Sequence, residues 1–204
     1  MERITDKKVW SLCSSLMAGA MKRFGQKVPD RPIIGLEYNG EVPECFHDGP
    51  KNLVIRLGTS TKGHPQQLKF QLAHEVVHAV CRGQKTTAPM IEEGAAIQFS
   101  FVPDRFGGDY LEKTIRQVKP QYLVAADLYQ QLMELAPDAV KLIRKRNPIL
   151  DELTAAGLKE VFPEISDGLQ SGLLLPLCRW QEAIDNGWAN LASGEAALRK
   201  WSNL

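Results

Sequence analysis

The chain has 204 residues, of which 44% are hydrophobic, so it can bury a sizeable core in one domain or in two small ones. Its 25 Lys and Arg residues nearly balance its 24 Asp and Glu residues, and the formal net charge of +1 excludes a strong field for nucleic acid or an acidic membrane. We therefore expect no nucleic-acid partner and no membrane association. The four cysteines form no Cys-x-x-Cys pair, which argues against a disulfide scaffold and predicts a reducing, cytoplasmic location.

The first predicted element is an amphipathic helix that ends near Phe24. Apolar residues from Val9 onward recur at steps of three and four, and serines and basic residues fall between them. A lysine pair before an apolar stretch that ends in Ala18-Gly19-Ala20 superficially resembles a secretory signal. Because serines suit the apolar core of a signal poorly, we interpret the segment as a retained helix.

Two strands and two helices are predicted next. The segments 33–38 and 53–57 have the apolar, β-branched character of strands, and turn-rich sequence lies between them. His64-Pro65 marks a helix start, since proline is tolerated in the first turn, and this helix is expected to run to about Arg82. A further helix is expected from near Pro89 through Phe101.

The rest of the chain is predicted to be helical. Prolines that can start or stop a helix separate the expected helices, which lie near 109–118, 121–135, 138–146, 149–160 and 177–201. The predicted fold class is α+β. The change from mixed strand and helix to helix alone, near residues 103 to 108, is the expected boundary between two lobes.

The sequence His74-Glu75-Val76-Val77-His78 carries the most specific chemistry. Residues four apart stand one above the other on a helix face, so both imidazoles can bind one metal ion. Glu75 lies about 100° round the helix from His74 and can lean over the ion without being a ligand. It is placed to act as general base toward a metal-activated water.

A catalytic zinc site takes three protein ligands and leaves the fourth position for water, so a third ligand must come from elsewhere. Glu92 and Glu93 lie on the next predicted helix, after a loop long enough to bring that helix back beside the first. Being adjacent, the two carboxylates cannot both face the ion. The small residues Gly94, Ala95 and Ala96 are expected to let the two helices approach closely.

The motif His74-Glu75-x-x-His78 followed by Glu93-Gly94-Ala95-Ala96 resembles the gluzincin metallopeptidases. Its compact spacing is similar to that of the short gluzincins of the ImmA/IrrE type, and the specific match covers residues 53 to 103. The resemblance implies one Zn²⁺ ion held by His74, His78 and Glu93, in preference to Glu92, with Glu75 as general base.

The resemblance also implies an architecture and a substrate site. Residues 1–103 are expected to form a zincin-like metal-binding lobe with a small sheet and the active-site helix, and residues 104–204 a helical lobe, unless both form one continuous domain. In such proteins the strand before the active helix commonly binds extended substrate as an added strand, and residues 53–57 occupy that place.

Several positions stay open. Larger gluzincins often place an acidic residue four positions after the glutamate ligand to orient a histidine, whereas Ile97 stands here, so no residue is assigned to that task. Tyr110, His47 and His64 are candidates for stabilising the oxyanion, and none matches by motif. His47 is interpreted as a surface-loop residue, and Cys81 as a small buried residue in preference to a thiolate ligand.

These features predict a zinc-dependent peptidase that hydrolyses a peptide bond in a peptide or protein substrate. The alternative is a catalytically silent, metal-stapled module that binds a protein partner. A structural metal needs ligands but no base, so Glu75 favours the enzyme. The substrate does not follow from the sequence, and two histidines with a glutamate give a preference for zinc over other divalent ions without proof.

Overall fold

The computed structural model describes residues 2–26, 31–40, 42–81, 87–102 and 108–203. Over these ranges the fold class is α+β, as predicted, with a small sheet followed by a mostly helical part. None of the described helices combines the length and the apolar character that crossing a bilayer requires.

The helices occupy most of the described chain. They are α1 (Lys7–Phe24), α2 (Pro65–Cys81), α3 (Met90–Ser100), α4 (Gly108–Ile115), α5 (Pro120–Leu135), α6 (Ala139–Arg144), α7 (Ala155–Val161), α8 (Asp167–Leu174), α9 (Trp180–Asp185) and α10 (Leu191–Trp201). The expected end of α2 at Arg82 lies outside the described residues, as do residues 103–107 of the expected lobe boundary.

Within the described ranges, one mixed sheet is formed by β1 (Glu2–Arg3), β2 (Ile33–Tyr38), β3 (Glu44–Asp48) and β4 (Asn52–Leu57). The spatial order is β1-β2-β4-β3, and β4 pairs in parallel with β2 and antiparallel with β3. Because β4 is paired on both edges, the expectation that substrate adds to residues 53–57 is wrong. The outer strand at that end of the sheet is β3.

β3 lies in a stretch that the sequence predicts to be turns. Cys45 is the only fully buried residue of β3, whereas β4 has four, so β3 lacks the apolar run that makes β4 recognisable. Gly49 has φ 75°, which glycine adopts without strain, and it begins the tight connection from β3 to β4. β3 therefore owes its conformation to pairing with β4 more than to its own sequence.

α2 and α3 form the buried centre of the molecule. α2 packs against α1, α3 and β4, and each of its residues from Leu72 to Cys81 is buried. α3 is buried over its whole length. Polar side chains on helices enclosed in this way must satisfy one another, because water does not reach them.

α5 is held at close distance on two sides by glycines. A Cβ atom on Gly94 of α3 would lie 2.4 Å from Cβ of Tyr129 and 2.7 Å from the carbonyl oxygen of Ala125, both on α5. A Cβ atom on Gly194 of α10 would lie 2.0 Å from the carbonyl oxygen of Leu123. The close approach expected at Gly94 thus occurs against α5, and not against α2.

A buried arginine secures the ends of α1 and α2. The guanidinium of Arg144 donates to the carbonyl oxygens of Phe24 at 2.9 Å, Gln26 at 2.7 Å and Val80 at 2.7 Å. Its side chain is 5% exposed. A cation is favourable beside the last carbonyls of a helix, where the negative end of the dipole lies, and here one cation serves two helices.

The helical part departs from the predicted segments in three places. The expected helix 149–160 begins only at Ala155, and the expected helix 177–201 divides at Gly187, which has φ 69°. α8 is not predicted. One hydrophobic cluster contains buried side chains from both halves of the chain, and the division into lobes 1–103 and 104–204 stays a prediction.

Candidate metal centre

Two turns of α2 and one of α3 bring the predicted ligands together. Nε2 of His74 lies 3.1 Å from Nε2 of His78. Glu93 Oε2 lies 3.3 Å from Nε2 of His74, and Glu93 Oε1 lies 3.7 Å from Nε2 of His78. The three ligand atoms lie within 4.8 Å of one another, and all three residues are buried. The four-residue spacing on α2 places the rings on one face, as predicted.

The donor set fits a divalent cation. Two imidazole nitrogens and one carboxylate oxygen converge on one point, which is the protein contribution found in catalytic zinc sites that keep one open position. Nitrogen and oxygen donors of this kind also accept other divalent transition metals. Among the described residues, this is the cluster of His, Cys, Asp and Glu side chains that is able to hold a metal ion.

Glu92 binds the opposite side of His78. Its Oε1 lies 2.6 Å from Nδ1 of His78, and the Glu92 side chain is fully buried. Because a carboxylate accepts, Nδ1–H donates, and in the neutral ring that binds a metal the lone pair of Nε2 is turned toward Glu93 and the ligand cluster. Glu92 therefore performs the orienting task that the sequence leaves unassigned at Ile97.

The adjacent carboxylates thus divide their roles. Glu93 joins the ligand cluster and Glu92 does not, in agreement with the expectation that only one of them faces the ion. The sequence pattern presents Glu92 only as a competing ligand. The orienting role of Glu92 can be predicted from helix geometry, because the residue next to Glu93 lies about 100° round α3 and can reach the far side of the His78 ring.

The carboxylates change the acidity of His78. Burial alone would lower its pKa, but Glu93, Glu92 and Glu75 outweigh burial and raise the pKa of His78 to about 9. Glu75 is buried and lines the cleft beside the cluster. A cation in the cluster would lie in the field of these three carboxylates, of which Glu93 belongs to the ligand set.

Tyr122 of α5 is a site residue that the sequence does not reveal. Its ring lies edge-on to His74, with the ring centroids 6.0 Å apart. Burial, followed by the charges of Glu93 and Glu75, raises the pKa of Tyr122 well above its usual range, so its phenol keeps its proton. No local motif indicates this residue, because Tyr122 lies 48 residues after His74 and only the packing of the folded chain brings the two together.

The cluster lies in an open cleft of about 1100 Å³. Its lining includes residues of β3, of α2, and of α4 with the segment leading into α5. Tyr110, His47 and His64 line this cleft, but His47 belongs to β3 and not to a surface loop. Tyr122 also lines the cleft, where its ring lies against the ring of His74.

Cys81 takes no part in the cluster. It is fully buried, and burial, opposed by Arg144 and reinforced by Glu92, raises the pKa of its thiol to about 12. The thiolate needed for metal binding is therefore disfavoured. This agrees with its interpretation as a small core residue.

Comparison with known proteins assigns no family. No protein-family model, no curated protein and no solved structure matches the chain. The gluzincin resemblance therefore stays a prediction, and the functional argument depends on the geometry of the metal centre and its cleft.

Zinc affinity should rise with pH until His78 has lost its proton. Since the pKa of His78 is about 9 in the metal-free protein, binding below that pH releases a proton, and affinity should increase about tenfold per pH unit before levelling off near pH 9. Competition with a chromogenic chelator, corrected for the chelator's own titration, measures this. Constant affinity between about pH 7 and about pH 9 would contradict the assigned environment of His78.

Removing Glu92 should weaken metal binding without removing a ligand. We expect Glu92→Ala to lower zinc affinity about 10- to 100-fold and Glu92→Gln, which retains an acceptor for Nδ1–H, to lower it less. The chelator competition measures both, with circular dichroism to verify folding. Glu160→Ala, an exposed carboxylate, is the matched control. Wild-type affinity in Glu92→Ala would show that the contact has no orienting role.

Proposed function

We propose that the protein is a zinc-dependent peptidase that hydrolyses a peptide bond in a peptide or protein substrate. The observation that carries this proposal is the combination of three ligands, a neighbouring carboxylate that is not a ligand, and a cleft open to a peptide chain. In a catalytically silent, metal-stapled module, neither Glu75 nor the open cleft would have a function. Structural zinc sites are closed by four protein ligands, whereas this cluster offers three.

Each residue has a defined task in this reaction. His74, His78 and Glu93 would hold one Zn²⁺ ion, and Glu92 fixes the orientation of His78. The bound ion supplies Lewis acidity toward the carbonyl oxygen and lowers the pKa of water. Glu75 takes the proton of the attacking water on its carboxylate and then gives it to the departing amide nitrogen.

Tyr122 of α5 would supply a further donor to the site. As water adds to the carbonyl carbon, negative charge develops on the carbonyl oxygen, and a phenol O–H donates to it. The raised pKa keeps the Tyr122 proton in place at neutral pH. A donor that is fixed in the folded protein stabilises this charge without reorganising during the reaction.

The substrate backbone is proposed to align with β3. In the described part of the chain β3 pairs with a strand on one edge only and lines the cleft, so a peptide can add along its other edge in extended form. Phe70, one turn before His74, and Ile97, one turn after Glu93, also line the cleft. They provide an apolar contact for a side chain next to the scissile bond.

A reducing cytoplasmic location is part of the proposal. Cys13, Cys45, Cys81 and Cys178 form no disulfide. Thiols persist where glutathione and thioredoxin keep them reduced.

Replacing the proposed base should separate binding from turnover. Glu75→Gln should retain one zinc ion but lower peptide cleavage about 10²- to 10⁴-fold, because the amide cannot take the water's proton. His74→Ala should lose both zinc and cleavage. Zinc content by elemental analysis and cleavage of a diverse peptide library by mass spectrometry give the two readouts. Cleavage by Glu75→Gln at the wild-type rate would refute its role, and a metal-loaded protein that cleaves nothing would favour the silent module.

Removing the Tyr122 hydroxyl should reduce the catalytic rate and leave zinc affinity unchanged. We expect Tyr122→Phe to lower kcat about 10²- to 10³-fold with little change in KM, because the donor acts on charge that develops only in the transition state. Tyr38→Phe, a tyrosine on β2 away from the cleft, is the control. If Tyr110→Phe shows the loss and Tyr122→Phe does not, the oxyanion role belongs to Tyr110.

A further inference from the structure

In the described part of the chain, two lysines that have no ion-pair partner line the cleft. Apart from histidines and the carboxylates of the metal centre, its charged lining residues in the described part of the chain are Glu44, Lys113 and Lys119. Glu44 lies on the β3 side, where its Oε1 is 2.8 Å from the Arg56 guanidinium. Glu44, the acidic lining residue outside the metal centre in the described ranges, is therefore paired with a cation, which also pairs with Glu37.

The two lysines belong to the helical part of the lining. Lys113 belongs to α4, and Lys119 is the residue before Pro120 at the start of α5. Both side chains are exposed, and neither has an ion-pair partner in the described ranges. Lys119 lies three residues before Tyr122, so this positive wall adjoins the proposed reaction centre.

We propose that the cleft selects peptides with acidic side chains on the side that faces Lys113 and Lys119, the residues we term the lysine wall. The inference rests on the proposed function, since it names the substrate class of the same site. A peptide aligned on β3 is extended, and its successive side chains point to opposite sides, so only one set of them can face this wall.

The expected discrimination is moderate. Exposed ion pairs contribute little individually, and two of them in a cleft should give about a 3- to 20-fold preference for an acidic peptide over its neutral amide counterpart. Cleft walls of low dielectric focus the field, and mobile ions screen it. The preference should therefore shrink as salt is added.

Binding to the Glu75→Gln variant tests the inference without turnover. The probes are two short fluorescein-labelled peptides of Gly and Ser with one Phe, which differ only in carrying Asp or Asn at the remaining positions. Fluorescence anisotropy with zinc-loaded protein should show tighter binding of the Asp peptide. Raising the salt from about 0.01 M to about 0.1 M shortens the screening length from about 30 Å to about 10 Å and should reduce the difference.

Charge reversal provides the specific control. Lys113→Glu with Lys119→Glu, made in the Glu75→Gln background, should abolish the preference for Asp over Asn and favour a Lys-containing probe. Lys51→Glu with Lys145→Glu makes the same change in net charge at exposed positions away from the cleft and should leave the preference intact. Loss of the preference in both double variants would mean that net charge, and not the lysine wall, selects the peptide.

The outcomes distinguish this inference from the proposed function. If the enzyme with Glu75 intact cleaves peptides but Glu75→Gln binds the Asp and Asn probes equally, the peptidase stands and the lysine wall is overturned. If the Asp preference depends on Lys113 and Lys119 but nothing is cleaved, the acidic-peptide site stands and the peptidase fails.

Discussion

Carboxylate charge enclosed around two histidines is the constraint on which the rest of this molecule depends. Glu75, Glu92 and Glu93 are 2%, 0% and 7% exposed, and all three act electrostatically on His78. Charges removed from water are costly unless they are paired or coordinate a cation. A divalent ion between His74, His78 and Glu93 would compensate much of this charge, so the donor chemistry and the burial both favour a bound cation.

The surrounding fold keeps these groups fixed. α2 and α3 are largely buried helices, and a site built on helices holds its geometry better than one built on loops. Arg144 binds the carbonyl of Val80 near the end of α2 and that of Phe24 at the end of α1, so the helix that supplies both histidines is tied to its neighbour beyond the metal site. The enclosed charge needs this support, because mobile helices would admit water and allow the ligands to separate.

The sequence predicts contacts between residues of one helix, but not contacts that depend on the packing of separate helices. His74, Glu75 and His78 form a pattern within one helix, where spacing alone determines which side chains share a face. Glu93 lies on the next helix and was selected over Glu92 only by resemblance. The contact of Glu92 with His78 and the position of Tyr122 depend on how separate helices pack, and no local spacing encodes that.

The same reasoning explains the errors in secondary structure. β4 is recognisable because it is buried and apolar, whereas β3 is an outer strand whose conformation depends on its partner. The sequence therefore indicates β4 as the substrate strand, because β4 is the strong apolar segment next to the motif. In the helical part, Gly187 divides the segment 177–201 although apolar residues continue on both sides of it.

Gly94 shows why the helical half belongs to the site. It follows Glu93 directly, and its missing side chain lets α5 approach α3 at Ala125 and Tyr129. Any larger residue would force α5 outward, and Tyr122 would move with it while Glu93 remained in place. One position on α3 thus sets the spacing between the proposed metal ligands and the phenol.

The lysine wall depends on the same spacing, since Lys119 immediately precedes α5. Residues after 103 therefore determine both the proposed catalytic donor and the proposed peptide preference, although the motif that indicates a metal site lies wholly before them.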